Sequence, residues 1–135
     1  MIDYEALIPS LSNQNIAEFV TWYDNFLHSQ EWNKWFNGEV FKIYIRKGVH
    51  LIDGKTRKCL DIAAIGVTEK YRNKGWGNYI IEMIHANNPY AITYIENVHN
   101  MRWADKLSRE GWLRTGYLLH DVCFYKIVGK KYDVS

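Results

Sequence analysis

The chain alternates between stretches where apolar side chains recur every three or four residues and stretches where they alternate or run together. Over residues 13 to about 28, Ile16, Phe19, Val20, Tyr23, Phe26 and Leu27 share one helical face, and Ser12 is placed to cap it. A short second helix is predicted around Trp32, Trp35 and Phe36, with Gly38 as its stop. Both helices are expected to pack on a sheet. Residues 39–45 set Phe41, Ile43 and Ile45 against Lys42, Tyr44 and Arg46, the signature of a half-buried strand that Gly48 should break. Residues 49–52 and 59–67 flank the polar segment Asp53, Gly54, Lys55, Thr56, which reads as a hairpin connection. The three strands predict an antiparallel meander before which no further strand is evident. Residues 60–67 are nearly all apolar, so that strand is expected to lie centrally, covered on both faces.

A glycine-containing loop, residues 68–77, leads into a helical stripe of Trp76, Ile80, Met83 and Ile84 that Asn87, Asn88 and Pro89 must end. A strand over 91–96, a helix over 101–110 with Trp103 and Leu107 inward, and strands over 112–117 and 122–128 follow. The order is ααβββαβαββ, and the strand-helix-strand crossover implies a mixed sheet.

The 135 residues suffice for one domain, 1–135, whose core needs no metal or disulfide scaffold. Hydrophobic residues at 47% and charged residues at 24% exclude a disordered chain. Six Trp and ten Tyr are an excess that core packing and pocket lining account for before base stacking does. A net charge of +2 neither requires nor excludes a nucleic-acid partner. Cys59 and Cys123 form no CxxC or Cys/His spacing and read as buried thiols of a reducing compartment. The acidic N-terminus lacks the basic start of a signal peptide and no apolar run reaches bilayer length, so a cytoplasmic protein without membrane contact is expected. His28, His50, His85, His99 and His120 make no HxxxH pair, and no metal site is expected.

The chemistry concentrates in the loop. A helix N-terminus offers backbone N–H groups without intrahelical partners, and its dipole favours an anion. Gly75 and Gly77 leave room for phosphate oxygens, and Arg72 and Lys74 add charge. The Rossmann and Walker spacings are both absent. A tight turn with solvated charges is the alternative explanation of the same residues.

The segment Val67-Thr68-Glu69-Lys70-Tyr71-Arg72-Asn73-Lys74-Gly75-Trp76-Gly77 resembles the GNAT superfamily of acyl-CoA-dependent N-acyltransferases, whose loop is [QR]xxGx[GA]. The resemblance runs from about Cys59 to Trp112, taking in Asn100 and, eleven residues later, Gly111-Trp112. It implies an α/β (α+β) single domain with a mixed, mostly antiparallel sheet, flanked by helices, in which residues 60–67 and 91–96 form a splayed central parallel pair. By the same resemblance, Arg72, Asn73, Lys74, Gly75, Trp76 and Gly77 would cradle the CoA pyrophosphate. The backbones of Ile65 and Val67 would bond the pantetheine arm, and Asn100 would touch it from the other side. Glu69 stands where the family often has Pro, and Leu107 where many members have the Tyr that protonates the leaving thiolate.

The resemblance implies acetyl-CoA as acyl donor and direct attack by a primary amine of a small molecule or protein. Only about one alkylammonium in a thousand is deprotonated at neutral pH, so a nearby base helps. Asp61, eleven residues before Arg72, matches the position of a base glutamate in histone-acetylating members, and Glu96 at the end of the neighbouring strand is a second candidate. Tyr125 is a substitute acid. The alternatives are a non-catalytic CoA-binding or protein-interaction domain, or a nucleic-acid-directed acyltransferase or binder.

Overall fold

The computed structural model describes residues 13–115 and 122–129. The proposed cap Ser12, His120 and the ends of the predicted last segments lie outside them. Among the described residues three α-helices, α1 (Asn13–His28), α2 (Trp76–Ala86) and α3 (Met101–Arg109), accompany β1 (Asn33–Asn37), β2 (Phe41–Ile52), β3 (Lys55–Val67), β4 (Ile92–Ile95), β5 (Leu113–Thr115) and β6 (Cys123–Ile127). One six-stranded sheet has the order β1-β2-β3-β4-β6-β5, and only β3 with β4 is parallel.

Two expectations are corrected. The segment around Trp35 and Phe36 is strand β1, not a second helix, so a strand does precede Phe41. Alternation decides it: Phe36 enters the core, while Trp35 points to the other face and stacks on Tyr44 with ring centroids 5.0 Å apart. Nor does Gly48 break a strand, because β2 runs through it in register with Cys59. Glycine is needed there for space: a Cβ would lie 2.5 Å from Asp61 Oδ2. The hairpin turns at Asp53 and Gly54, both at positive φ (52° and 76°), as a two-residue turn between right-twisted strands requires.

All three helices contribute to one cluster with the sheet residues Ile43, Ile45, Leu60, Ile62 and Ile95. Tyr23 of α1 donates its hydroxyl to the Asn87 carbonyl at 2.9 Å, tying α1 to the end of α2. Buried Thr93 is satisfied by His85 and Asn88, each at 2.8 Å, which fixes α2 over β4. On the opposite face Ile52, Cys59 and Ile92 make a second, smaller cluster with Tyr94 and Tyr125 against it.

In β3 the register skips Ala63: Ile45 faces Ile62, and Tyr44 faces Ala64. This bulge restores Ile65 and Val67 to the helix side, where both pack on the main cluster. No described helix is long and apolar enough to cross a membrane, which leaves a β-barrel unaddressed.

Candidate functional site: a loop, a slot and a polar strand face

Past Val67 the chain must reverse from strand to helix. Thr68 anchors the exit, its N–H bonded to the Val40 carbonyl at 2.8 Å and its hydroxyl to that of Glu39 at 2.7 Å. One 3-10 turn, Glu69–Tyr71, then gives way to Asn73 and Gly75 in the left-handed region (φ 63° and 86°). Gly75 caps α2 without any side-chain acceptor, and the first turn of α2 carries no acidic residue. Its leading N–H groups are thus left for another partner.

A cavity of about 330 Å³ opens there, lined on the loop by Arg72, Asn73, Gly75, Trp76, Gly77 and Asn78. A Cβ at Gly75 or Gly77 would meet nothing within 4 Å, so the space they leave is cavity and not packing. Ile65 and Val67 form one wall, and Trp103 and Lys106 of α3 the other. The Arg72 Nε–H donates to the Val67 carbonyl at 2.9 Å, which holds the guanidinium beside the mouth. Lys74 is exposed and does not line the cavity.

Ile65 and Trp103 also border a second cavity of about 230 Å³, completed by Ile62, Ala63, Ala64, Ile95, Glu96 and Asn97. It fills the gap where β3 and β4 part. Their pairing covers only Cys59–Ile62 against Ile92–Ile95, and the last link is the Glu96 N–H to the Ile62 carbonyl at 3.0 Å. Asn97 then turns through positive φ (54°), and Val98 bonds to Val122 instead of to β3. Asn100 lies apart from both cavities: its Oδ1 caps α3, accepting from the N–H groups of Arg102 and Trp103. It therefore acts on the slot through Trp103, the residue it positions.

On the face without described helices, Glu96 pairs with Arg46 across β3, above the small side chains at 63 and 64. This contact raises the Arg46 pKa, chiefly through the Glu96 hydrogen bond. Asp61 is 4% exposed, and its Oδ2 meets His50 Nε2 at 2.9 Å. The His50 ring stacks on Tyr94 at 3.8 Å between centroids. Burial, seconded by Asp61, pushes the Cys59 thiol up to about 11, and burial with a hydrogen bond to Cys123 raises Tyr94. Tyr125 faces Tyr94 across the β4–β6 pair and borders neither cavity. Leu107 is fully buried in the main core. Of the residues singled out in the sequence, the fold thus brings Ile65, Val67, Arg72, Asn73, Gly75, Trp76, Gly77 and Glu96 to two adjoining cavities. Trp103, Lys106, Arg46 and His50 were missed. The i, i+3 spacing of Trp103 and Lys106 on α3 was the available signal for the first two.

No family model and no curated protein matches the sequence. Solved structures match its fold. An acetyltransferase related to the histone acetyltransferase HPA2, from Corynebacterium glutamicum, superposes with a TM-score of 0.56 at 12% identity, over 90% of this chain and 80% of that one. A GNAT-family acetyltransferase from Listeria monocytogenes gives 0.52 at 13% identity, over 91% and 86%. The KacTA–DNA complex gives 0.52 at 8% identity, over 87% and 81%. With its mostly antiparallel sheet, its single parallel pair and the helix that follows the loop, the chain has the GNAT-superfamily fold.

Proposed function

We propose that the protein is an acyl-CoA-dependent N-acyltransferase that moves an acetyl group from acetyl-CoA to a primary amine. The observation that carries this reading is a pair of adjoining cavities that share Ile65 and Trp103, one at the uncapped N-terminus of α2 and the other at the gap between β3 and β4. The α2 amides with Arg72 and Lys106 suit a pyrophosphate, the free edge of β3 beyond Ile62 suits an extended amide-bearing arm, and the parting strands suit a thioester. One structure of the same fold, at a TM-score of 0.50 and 7% identity, is the AtaT toxin bound to the C-terminus of the antitoxin AtaR and acetyl-CoA.

Acetyl-CoA supplies the activated carbonyl, and the chain's residues position it and manage protons. Glu96 is the carboxylate that borders the gap, so it takes the role of base ahead of Asp61, which lies beneath His50. The Arg46 guanidinium holds Glu96 in place. Tyr125 receives no role. A cytoplasmic site of action suits two unpaired cysteines and a CoA thioester.

The test is calorimetric titration with acetyl-CoA, followed by incubation of labelled acetyl-CoA with fractionated amine acceptors. Saturable binding with label transfer supports the reading; absence of binding overturns it. Binding without transfer would favour a non-catalytic CoA-binding domain, the reading that buried Leu107 supports by leaving no hydroxyl at its position.

A further inference from the structure

Three metal-ligating side chains that play no part in the slot converge on the opposite face of the β2–β3 hairpin. Cys59 and Asp61 are two apart on β3 and so share a face, and His50 of β2 leans over Gly48 toward them. One donor atom from each lies within 4.8 Å of the others. Cys59 is fully buried and Asp61 nearly so, whereas the His50 side chain is 28% exposed and gives a path from solvent.

The hydrogen-bond accounting around the cluster is incomplete. His50 satisfies Asp61 Oδ2, but Oδ1 is buried and meets no donor among the described residues. A buried carboxylate oxygen without a partner is costly, and such a group calls for an explanation. The nearby Arg46 is engaged with Glu96. The Cys59 thiol donates to the carbonyl of Arg57, two residues away on its own strand, at 3.3 Å, and its sulfur takes a hydrogen bond from the His50 backbone. The chain also keeps a glycine at 48, where any side chain would collide with the carboxylate.

We propose that His50, Cys59 and Asp61 bind one divalent transition-metal ion of the zinc type, with a fourth position left to water. Imidazole nitrogen, thiolate sulfur and carboxylate oxygen form a donor set that zinc takes in tetrahedral sites. Bond lengths of about 2.0 to 2.3 Å put such donors roughly 3.3 to 3.8 Å apart, so the cluster closes on an ion by about an ångström of side-chain movement. The Cys59 S–H bond breaks as the sulfur–metal bond forms, and its proton passes to buffer. Thiolate and carboxylate then balance the dication, and the His50–Asp61 hydrogen bond gives way to one bond from each side chain to the metal.

The experiment is titration of the full chain, after exposure to a chelator, with Co(II) alone and then with Zn(II). One equivalent of Co(II) is expected to give thiolate charge-transfer absorption and the visible bands of a tetrahedral centre, which Zn(II) bleaches. Cys59→Ser should abolish the charge-transfer band, His50→Gln should weaken binding by at least about tenfold, and Cys123→Ser should change neither. Absence of the bands at one equivalent overturns the proposal, as does a band that persists in Cys59→Ser. Circular dichroism checks the fold of each variant; should Cys59→Ser not fold, His50→Gln decides, since undiminished affinity in that partly exposed variant is equally fatal. None of these readings depends on acyl transfer.

Discussion

The two halves of β3 share a strand and an apolar sequence but differ in what lies beside them. From 59 to 62 the strand is paired on both edges, with β2 on one side and β4 on the other. Over 63–67 it is paired, among the described residues, only with β2, and a cavity replaces the second neighbour. Hydrophobicity does not distinguish the halves; the route of the neighbouring chain does. Because Asn97 takes positive φ and Val98 pairs with Val122, β4 leaves β3 after a single further hydrogen bond. One apolar stretch of a strand can therefore serve as core over part of its length and as the wall of a binding slot over the rest.

The contrast can be broken most directly at the open half. Gly77→Asp should remove nearly all stabilisation by acetyl-CoA, which for the unaltered protein at 100 times Kd amounts to about 2.7 kcal/mol. Thermal melts with and without ligand measure it. Gly77 is the cleaner position because Gly75 has φ 86°, where any side chain adds backbone strain of its own. Next in size, Glu96→Gln should lower kcat on an amine acceptor by on the order of 100-fold with acetyl-CoA affinity retained, while Asp61→Asn changes kcat only a few-fold. Steady-state kinetics of the two variants would reverse that order if the doubly paired half held the base. In the closed half, Gly48→Ala should cost about 1 to 3 kcal/mol in urea unfolding by driving a methyl into Asp61, with little effect on ligand binding. The smallest change, about 1 kcal/mol, is expected from Tyr23→Phe, which removes the bond between α1 and the end of α2 and leaves both halves of β3 intact.

The strand, loop and helix spanning 60–86 were legible because their signals are local: an apolar run, glycines where the chain reverses, and a 3.6-residue stripe. Strand β1 was not, since Trp32, Trp35 and Phe36 fit helical spacing as readily as a short alternating edge, and only pairing with β2 decides between them. Gly48 looked like a strand breaker because the carboxylate that occupies its missing side chain's space comes from thirteen positions later in the sequence. The same limit hid the His50, Cys59 and Asp61 cluster, whose members meet only once the hairpin register is set. Asn100, expected at the pantetheine arm, instead caps α3, a role its Asn identity fits and the spacing did not single out.

The extra residue at Ala63 makes the strand's two halves agree in parity: Leu60 and Ile62 face the helices, and so do Ile65 and Val67, although an odd interval separates the sets. Were the bulge flattened with that alanine retained, strict alternation would rotate the distal segment by half a turn and present Gly66 to the helices, so that the slot would lose its greasy wall without the loss of a single apolar side chain.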